Sequence, residues 1–251
     1  IDDFSEEPPM AMIEPRQEPD WTNRNWEAEA KTASGALRAY PQISGARVIY
    51  RLTYTTTYLM TSEGTQIRAG RSLASIEAGL GAQADDGTPV HNYVTIYATK
   101  PSGLASGDAV RQQLDRAGRD LVALRNAPRI ADYDGPVLFE APAAAALVAQ
   151  LVGPSLGGAR ALLSANARFD QMQQALGGRS EWSGRIGQRV MPAGVSVVDD
   201  PTVKEFQGQE LIGAYSVDQE GVKAQRVGLV VDGLLRDLLM SRRPGPELVR
   251  S

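Results

Sequence analysis

A single histidine, His91, and no cysteine leave this 251-residue chain short of the side chains that most often do chemistry. Without Cys there is no disulfide, zinc finger, iron–sulfur cluster or thiol nucleophile, and one His cannot supply a two-histidine metal site. A Ser–His–Asp arrangement would rest on His91 alone. His91 stands beside Asn92 early in a strand pattern, where an isolated histidine reads as a surface or hydrogen-bonded residue rather than a ligand. The pairs Asp85-Asp86 and Asp199-Asp200 have the residue type for general acid–base work. Each runs into Gly87 or Pro201, however, a context in which Asp serves a turn by bonding its own backbone. Ser62-Glu63-Gly64 reads as a hairpin turn for the same reason. The glycines of Gly153–Gly158 lack the Lys-Ser/Thr of a phosphate loop. That leaves Glu140, which Val137-Leu138-Phe139 delivers to the start of an alanine-rich helix. A catalytic carboxylate could sit there, although the helix dipole alone also favours Glu at that place.

The elements that would position these residues read as an α+β protein. Residues 1–21 form an acidic, Pro-rich segment without the basic and apolar regions of a signal peptide, and are expected to be a disordered linker. The chain opens on Ile and reads as part of a longer protein. Thr22–Tyr40 has helical spacing at Trp26, Ala30, Ala33 and Leu37, and Ala46–Met60 alternates as a long strand. Gln66–Arg68 begins the return strand, and Arg71–Gln83 with Val90–Thr99 forms a pair around the Asp86-Gly87 turn. Ser106–Ala127 is the clearest helix, with Ser106 or Asp108 placed to cap it. Tyr133–Glu140 reads as a short buried strand leading into a helix over Ala141–Val152. Further helix is expected within Ala159–Leu163 and Phe169–Leu176, a buried strand at Val195–Val198, and a second Asp-Gly hairpin at Asp232-Gly233. The expected division is an N-terminal α+β domain over 22–132, helices on an antiparallel sheet, and a β-rich part over 133–251.

Tyr133–Gln150, Val195–Pro201, Asp218–Gly221, Val227–Gly233 and Leu238–Arg242 follow one another in the order of the TldD/PmbA family, the so-called modulators of DNA gyrase. Upstream, Leu37–Ser44, Ser62–Thr65 and Ala84–Gly87 resemble that family's N-terminal domain, so the resemblance spans roughly residues 33–245. It implies a relationship to zinc metallopeptidases. In the active branch an HExxxH motif at a strand-to-helix junction and a downstream Cys hold zinc, and the Glu activates a bound water. Here the matching ligand positions are Phe139, Ala144 and Val195, and only the general base survives, as Glu140. None of the three replacements carries a donor atom.

The resemblance therefore implies the ligand-free branch, the PmbA or TldE type: a non-catalytic subunit, without metal or other cofactor of its own, in a protease assembly acting on unstructured peptides. The implied partner is a metal-bearing TldD-type subunit in a heterodimer, or a second copy of the chain. Two other readings stay open at this point, an active hydrolase whose groups lie outside this chain and a peptide-binding module outside proteolysis. A net charge of −4, from 26 Lys plus Arg against 30 Asp plus Glu, offers no basic stripe for nucleic acid. No apolar run of the ~18 residues needed to span a membrane is present. The expected location is the cytoplasm.

Overall fold

The computed structural model describes residues 5–16, 24–158, 168, 172 and 180–243. Strand β1 covers Ala11–Ile13, helix α1 Trp26–Ala36, and strands β2, β3 and β4 cover Ile43–Met60, Gln66–Gln83 and Pro89–Ala98. Helices α2 and α3 follow at Gly107–Arg125 and Ala141–Leu151. The short strands β5 Val197–Asp199, β6 Glu205–Phe206, β7 Gln209–Glu210, β8 Val227–Val231 and β9 Leu234–Leu235 complete the order. Helices combined with mixed and antiparallel sheets make this an α+β fold, as the sequence predicts.

β3 is the spine of the larger sheet. It pairs antiparallel with β2 along its whole length, and on its other side with β4 over Ala74–Gln83 and with β1 over Gln66–Arg68. Side chains alternate across a strand, so the even positions of β3 share one face. Ala74, Ile76, Ala78, Leu80 and Ala82 are buried there, against Ala33 and Leu37 from the α1 end and Val110, Leu114, Ala117 and Leu121 of α2. These α2 residues recur every three or four positions, the spacing that places them on one stripe of a helix. Ser106 caps α2 by accepting a hydrogen bond from the Ala109 amide at 3.3 Å, and Asn25 caps α1 through the Ala28 amide at 3.1 Å. Arg24 fastens the start of α1 to the loop before α2, pairing with Glu29 at 2.6 Å and donating to the carbonyl of Ala105 at 3.1 Å.

Several expectations need correction. Gln66–Arg68 and Arg71–Gln83 are one continuous 18-residue strand, not two pieces. The intervening Gly70 looks like a break, but the Tyr54 hydroxyl of β2 lies over it, only 2.6 Å from where a Cβ would stand. The N-terminal segment holds a strand where a disordered linker is expected. Residues 11–13 run parallel to the β3 tip, just where β4 has ended, and Gln66 and Glu14 amides close the ladder at 2.8 Å each. An apolar Met-Ala-Met-Ile stretch beside a vacant strand edge outweighs the acidic composition around it. Helix α1 ends at Ala36 and passes into a 3-10 turn over Leu37–Ala39. The helical readings at Ala159–Leu163 and Phe169–Leu176 fall mainly on residues outside the described set.

The second half is built from β5, β8 and β9, in that order, with β6 and β7 as a separate hairpin. Its core is Val152, Trp182, Val230, Leu235 and Leu238. Asp232 and Gly233 make the β8–β9 turn with φ of 50° and 75°, the left-handed pair that a two-residue hairpin needs. The two halves meet at the far end of the β2–β3 hairpin. There Ile67 is buried on the odd face, and a Cβ at Gly221 would stand 3.3 Å from Leu59 and Thr65. Arg71 donates to the Ile212 carbonyl on that same face, and the Thr99 amide donates to Glu210 at 3.0 Å. The hairpin thus buries one face against helices at one end and the opposite face against the second half at the other.

Candidate functional site

The junction at Glu140 begins with Tyr133–Glu140, which is neither buried nor a strand. Its side chains are exposed, Leu138 at 88% and Phe139 at 45%. The Tyr133 hydroxyl donates to the Pro136 carbonyl at 3.1 Å and closes a local loop. An apolar run announces burial or a waiting surface equally well, which is why the periodicity misled here. Helix α3 then starts where the sequence places it, with Pro142 in the first turn, where its missing N–H costs nothing. Glu140 is the N-cap residue with extended backbone (φ −87°, ψ 160°), and its carbonyl accepts the first helical bond from Ala144 at 3.0 Å. Its carboxylate makes no capping bond and is exposed. Phe139 and Glu140 thus stand immediately before the helix, and Ala144 is its fourth residue.

Val195 lies in the turn before β5. Its carbonyl accepts from the Gly233 amide at 2.7 Å, and Asp232 binds the Gly194 amide at 2.6 Å. β5 itself is shorter and less buried than expected, covering Val197–Asp199 with Val198 43% exposed. Val152, which follows α3, and Val197 of β5 pack into one cluster. The cluster thus anchors both elements that carry the candidate positions.

The remaining sequence candidates are accounted for by structure. Asp86 takes the Thr88 amide at 2.9 Å, which with nearby Arg129 holds its carboxyl below the ordinary range, while Asp85 pairs with Arg125 at 2.5 Å. Asp200 takes the Thr202 amide at 3.1 Å and hydroxyl at 2.6 Å. Asp86 and Asp200 thus shape turns, while Asp199 ends β5 opposite Val227. His91 pairs with Gly81 on the exposed face of the sheet, its ring 3.3 Å from where a Cβ of Gly81 would be.

Sequence reasoning missed Arg242. Its guanidinium forks onto both carboxylate oxygens of Glu63, at 2.8 Å for one, and also donates to the Ser5 carbonyl. Its amide donates to Glu220 at 2.7 Å, and Glu63 accepts a further bond from the Glu7 amide at 3.3 Å. Hydrogen bonding to Arg242 is the main reason the Glu63 carboxyl is held below the usual glutamate range. The turn at 62–65, the turn at 218–221 and the segment ending at Arg242 meet at one joint. No local signal could reveal it, because Glu63 and Arg242 lie 179 residues apart.

Comparison with known proteins now bears on this arrangement. Residues 133–248 match the model of the PmbA/TldA metallopeptidase C-terminal domain. Over those residues the chain is similar to the C-terminal domain of the TldD/PmbA family. A metalloprotease of Methanothermobacter thermautotrophicus is 42% identical over 67 residues, 27% of this chain and 13% of that protein. A Thermotoga maritima structure named for modulation of DNA gyrase superposes with a TM-score of 0.66 at 17% identity, over 94% of this chain and 51% of that one. TldE from Thermococcus kodakarensis gives 0.61 at 12% identity, over 96% and 50%. These two likenesses show the TldD/PmbA fold. The chain spans about half the length of the solved structures it matches. The zinc that the sequence resemblance implies for active relatives does not fit the side chains at this junction. Phe139, Ala144 and Val195 present only carbon, and among the described residues no group of three or more His, Cys, Asp or Glu could hold a metal ion.

Proposed function

We propose that this chain is a non-catalytic member of the TldD/PmbA family, a subunit that helps hold unstructured peptide for a metal-bearing TldD-type partner. One observation carries the reading: all three positions matching metal ligands hold Phe139, Ala144 and Val195, side chains without donor atoms. A carboxylate alone cannot bring the pKa of water from near 16 to about 7, the step that a bound zinc performs. Glu140 is then a vestige of the general base. A further feature supports a role in enclosing or contacting another chain. From Gly135 to Gly158 the sequence carries one charged residue, Glu140, while Val137, Leu138, Val148 and Leu151 are 60, 88, 54 and 67% exposed. Depletion of charge in an exposed apolar stretch is the signature of an interface core. Cytoplasmic peptides are the substrates this reading adopts.

The test is metal content by mass spectrometry after exposure to zinc and removal of the excess, alongside hydrolysis of an unstructured peptide. Below about a tenth of a zinc per chain with no cleavage is the expected outcome, since binding requires a donor set. Near one zinc per chain, with cleavage that a chelator abolishes, would overturn the proposal and make the chain an active hydrolase.

A further inference from the structure

The outer edge of β2 is a long run of strand backbone that no described strand covers. β2 is bonded to β3 on one side, and among the described residues nothing pairs with the other. An antiparallel neighbour satisfies only alternate backbone groups, so about half of the N–H and C=O groups of β2 point away from the sheet. Natural edges are guarded by charge, proline or bulges. Between Leu52 and Met60 the sequence LTYTTTYLM has none of these, and its register with β3 is unbroken. Thr53, Thr55, Thr57, Tyr58 and Met60 are exposed, Tyr58 at 66% and Met60 at 78%.

This edge is complementary to itself. Tyr54-Thr55-Thr56-Thr57-Tyr58 reads the same in both directions about Thr56. An antiparallel neighbour runs in the opposite direction, so a two-fold axis beside Thr56 sets Thr55 against Thr57, Tyr54 against Tyr58 and Leu52 against Met60. Aromatic and threonine pairs are the favourable cross-strand combinations, and no like charges are opposed. Two-fold association asks for this property, one patch that matches its own copy. We propose that the Leu52–Met60 edge of β2 pairs antiparallel with the same edge of a second copy of this chain, joining two sheets across the axis at Thr56. The edge offers nine residues a side, fewer than the ~20–30 of a standard interface, so the dimer forms and dissociates with concentration. The pairing is independent of the non-catalytic reading, because a zinc-binding chain would associate through the same edge.

The absence of Cys makes the test clean. About the proposed axis residue 56 meets its own copy with Cα atoms about 4.5 or 5.5 Å apart, within reach of a disulfide. Residue 53 meets residue 59 instead. Light scattering of the full chain is expected to show a concentration-dependent doubling of the 26.9 kDa mass. Mild oxidation is expected to trap Thr56→Cys as a covalent dimer and leave Thr53→Cys uncrosslinked. Thr56→Lys, which opposes two ammonium groups, is expected to return the chain to monomer with its circular dichroism unchanged. A wild-type chain that stays monomeric at its highest soluble concentration overturns the proposal. So does a dimer that Thr56→Lys leaves intact, or one in which Thr53→Cys crosslinks as readily as Thr56→Cys.

Discussion

Arg242 keeps the Glu63 carboxyl ionised at pH values where a free glutamate takes a proton. A depressed folded value stabilises the native state fully above the unfolded value, about 4.3, and that contribution is lost as pH falls through the lower folded one. The melting-temperature gap between wild type and Glu63→Gln is therefore expected to be open at pH 7 and to close on acidification below about 4. A gap independent of pH would show that Glu63 acts by shape rather than charge. At Tyr50 the hydroxyl is buried without a hydrogen-bond partner among the described residues. Tyr50→Phe removes that unpaired group while keeping the ring against Trp26, 6.3 Å away between centroids, and is expected to be neutral or stabilising by up to about 1 kcal/mol in denaturant melts. At this scale the sequence discloses what is local. Asp85-Asp86 and Asp200 are legible as turn residues because an Asp–Gly or Asp–Pro step carries its own geometry, whereas Asp199 closes a strand. Arg242 is illegible because its partners Ser5, Glu63 and Glu220 come from three distant segments.

At the scale of elements, legibility follows periodicity and capping. α2 is readable because Val110, Leu114, Ala117 and Leu121 repeat at helical spacing behind the Ser106 cap. Ser106→Ala is expected to lower stability by about 1 kcal/mol, measured by chemical denaturation, since the Ala109 amide loses its acceptor. β1 is not readable, because three residues carry too short an alternation and its reason for ordering is the vacant edge of β3. Tyr133–Glu140 fails in the opposite sense: its apolar run is clear, but whether such a run is covered depends on what lies beside it. Hydrogen exchange separates these cases. Amides at 10–14 are expected to be protected in wild type and to lose protection in Arg242→Met, which releases the Ser5 carbonyl and the Glu63 clasp.

In the whole molecule the β2–β3 hairpin is a ruler. Its 18-residue strands extend ~60 Å, with the helical layer seated at one end on even positions and the second half at the other on odd ones. That opposition sets a parity rule for length. Adding two residues to each strand moves the ends ~7 Å apart yet keeps every side chain on its own face. Adding one to each turns all positions beyond the insertion over, placing Leu59 and Ile67 on the wrong side for the loop at Gly221. Paired insertions near Thr53 and Leu73 of two residues each are therefore expected to yield folded protein with a single melting transition. Insertions of one residue each are expected to leave the second half melting separately at lower temperature. Natural variation in the length of this hairpin should follow the same rule and proceed in steps of two.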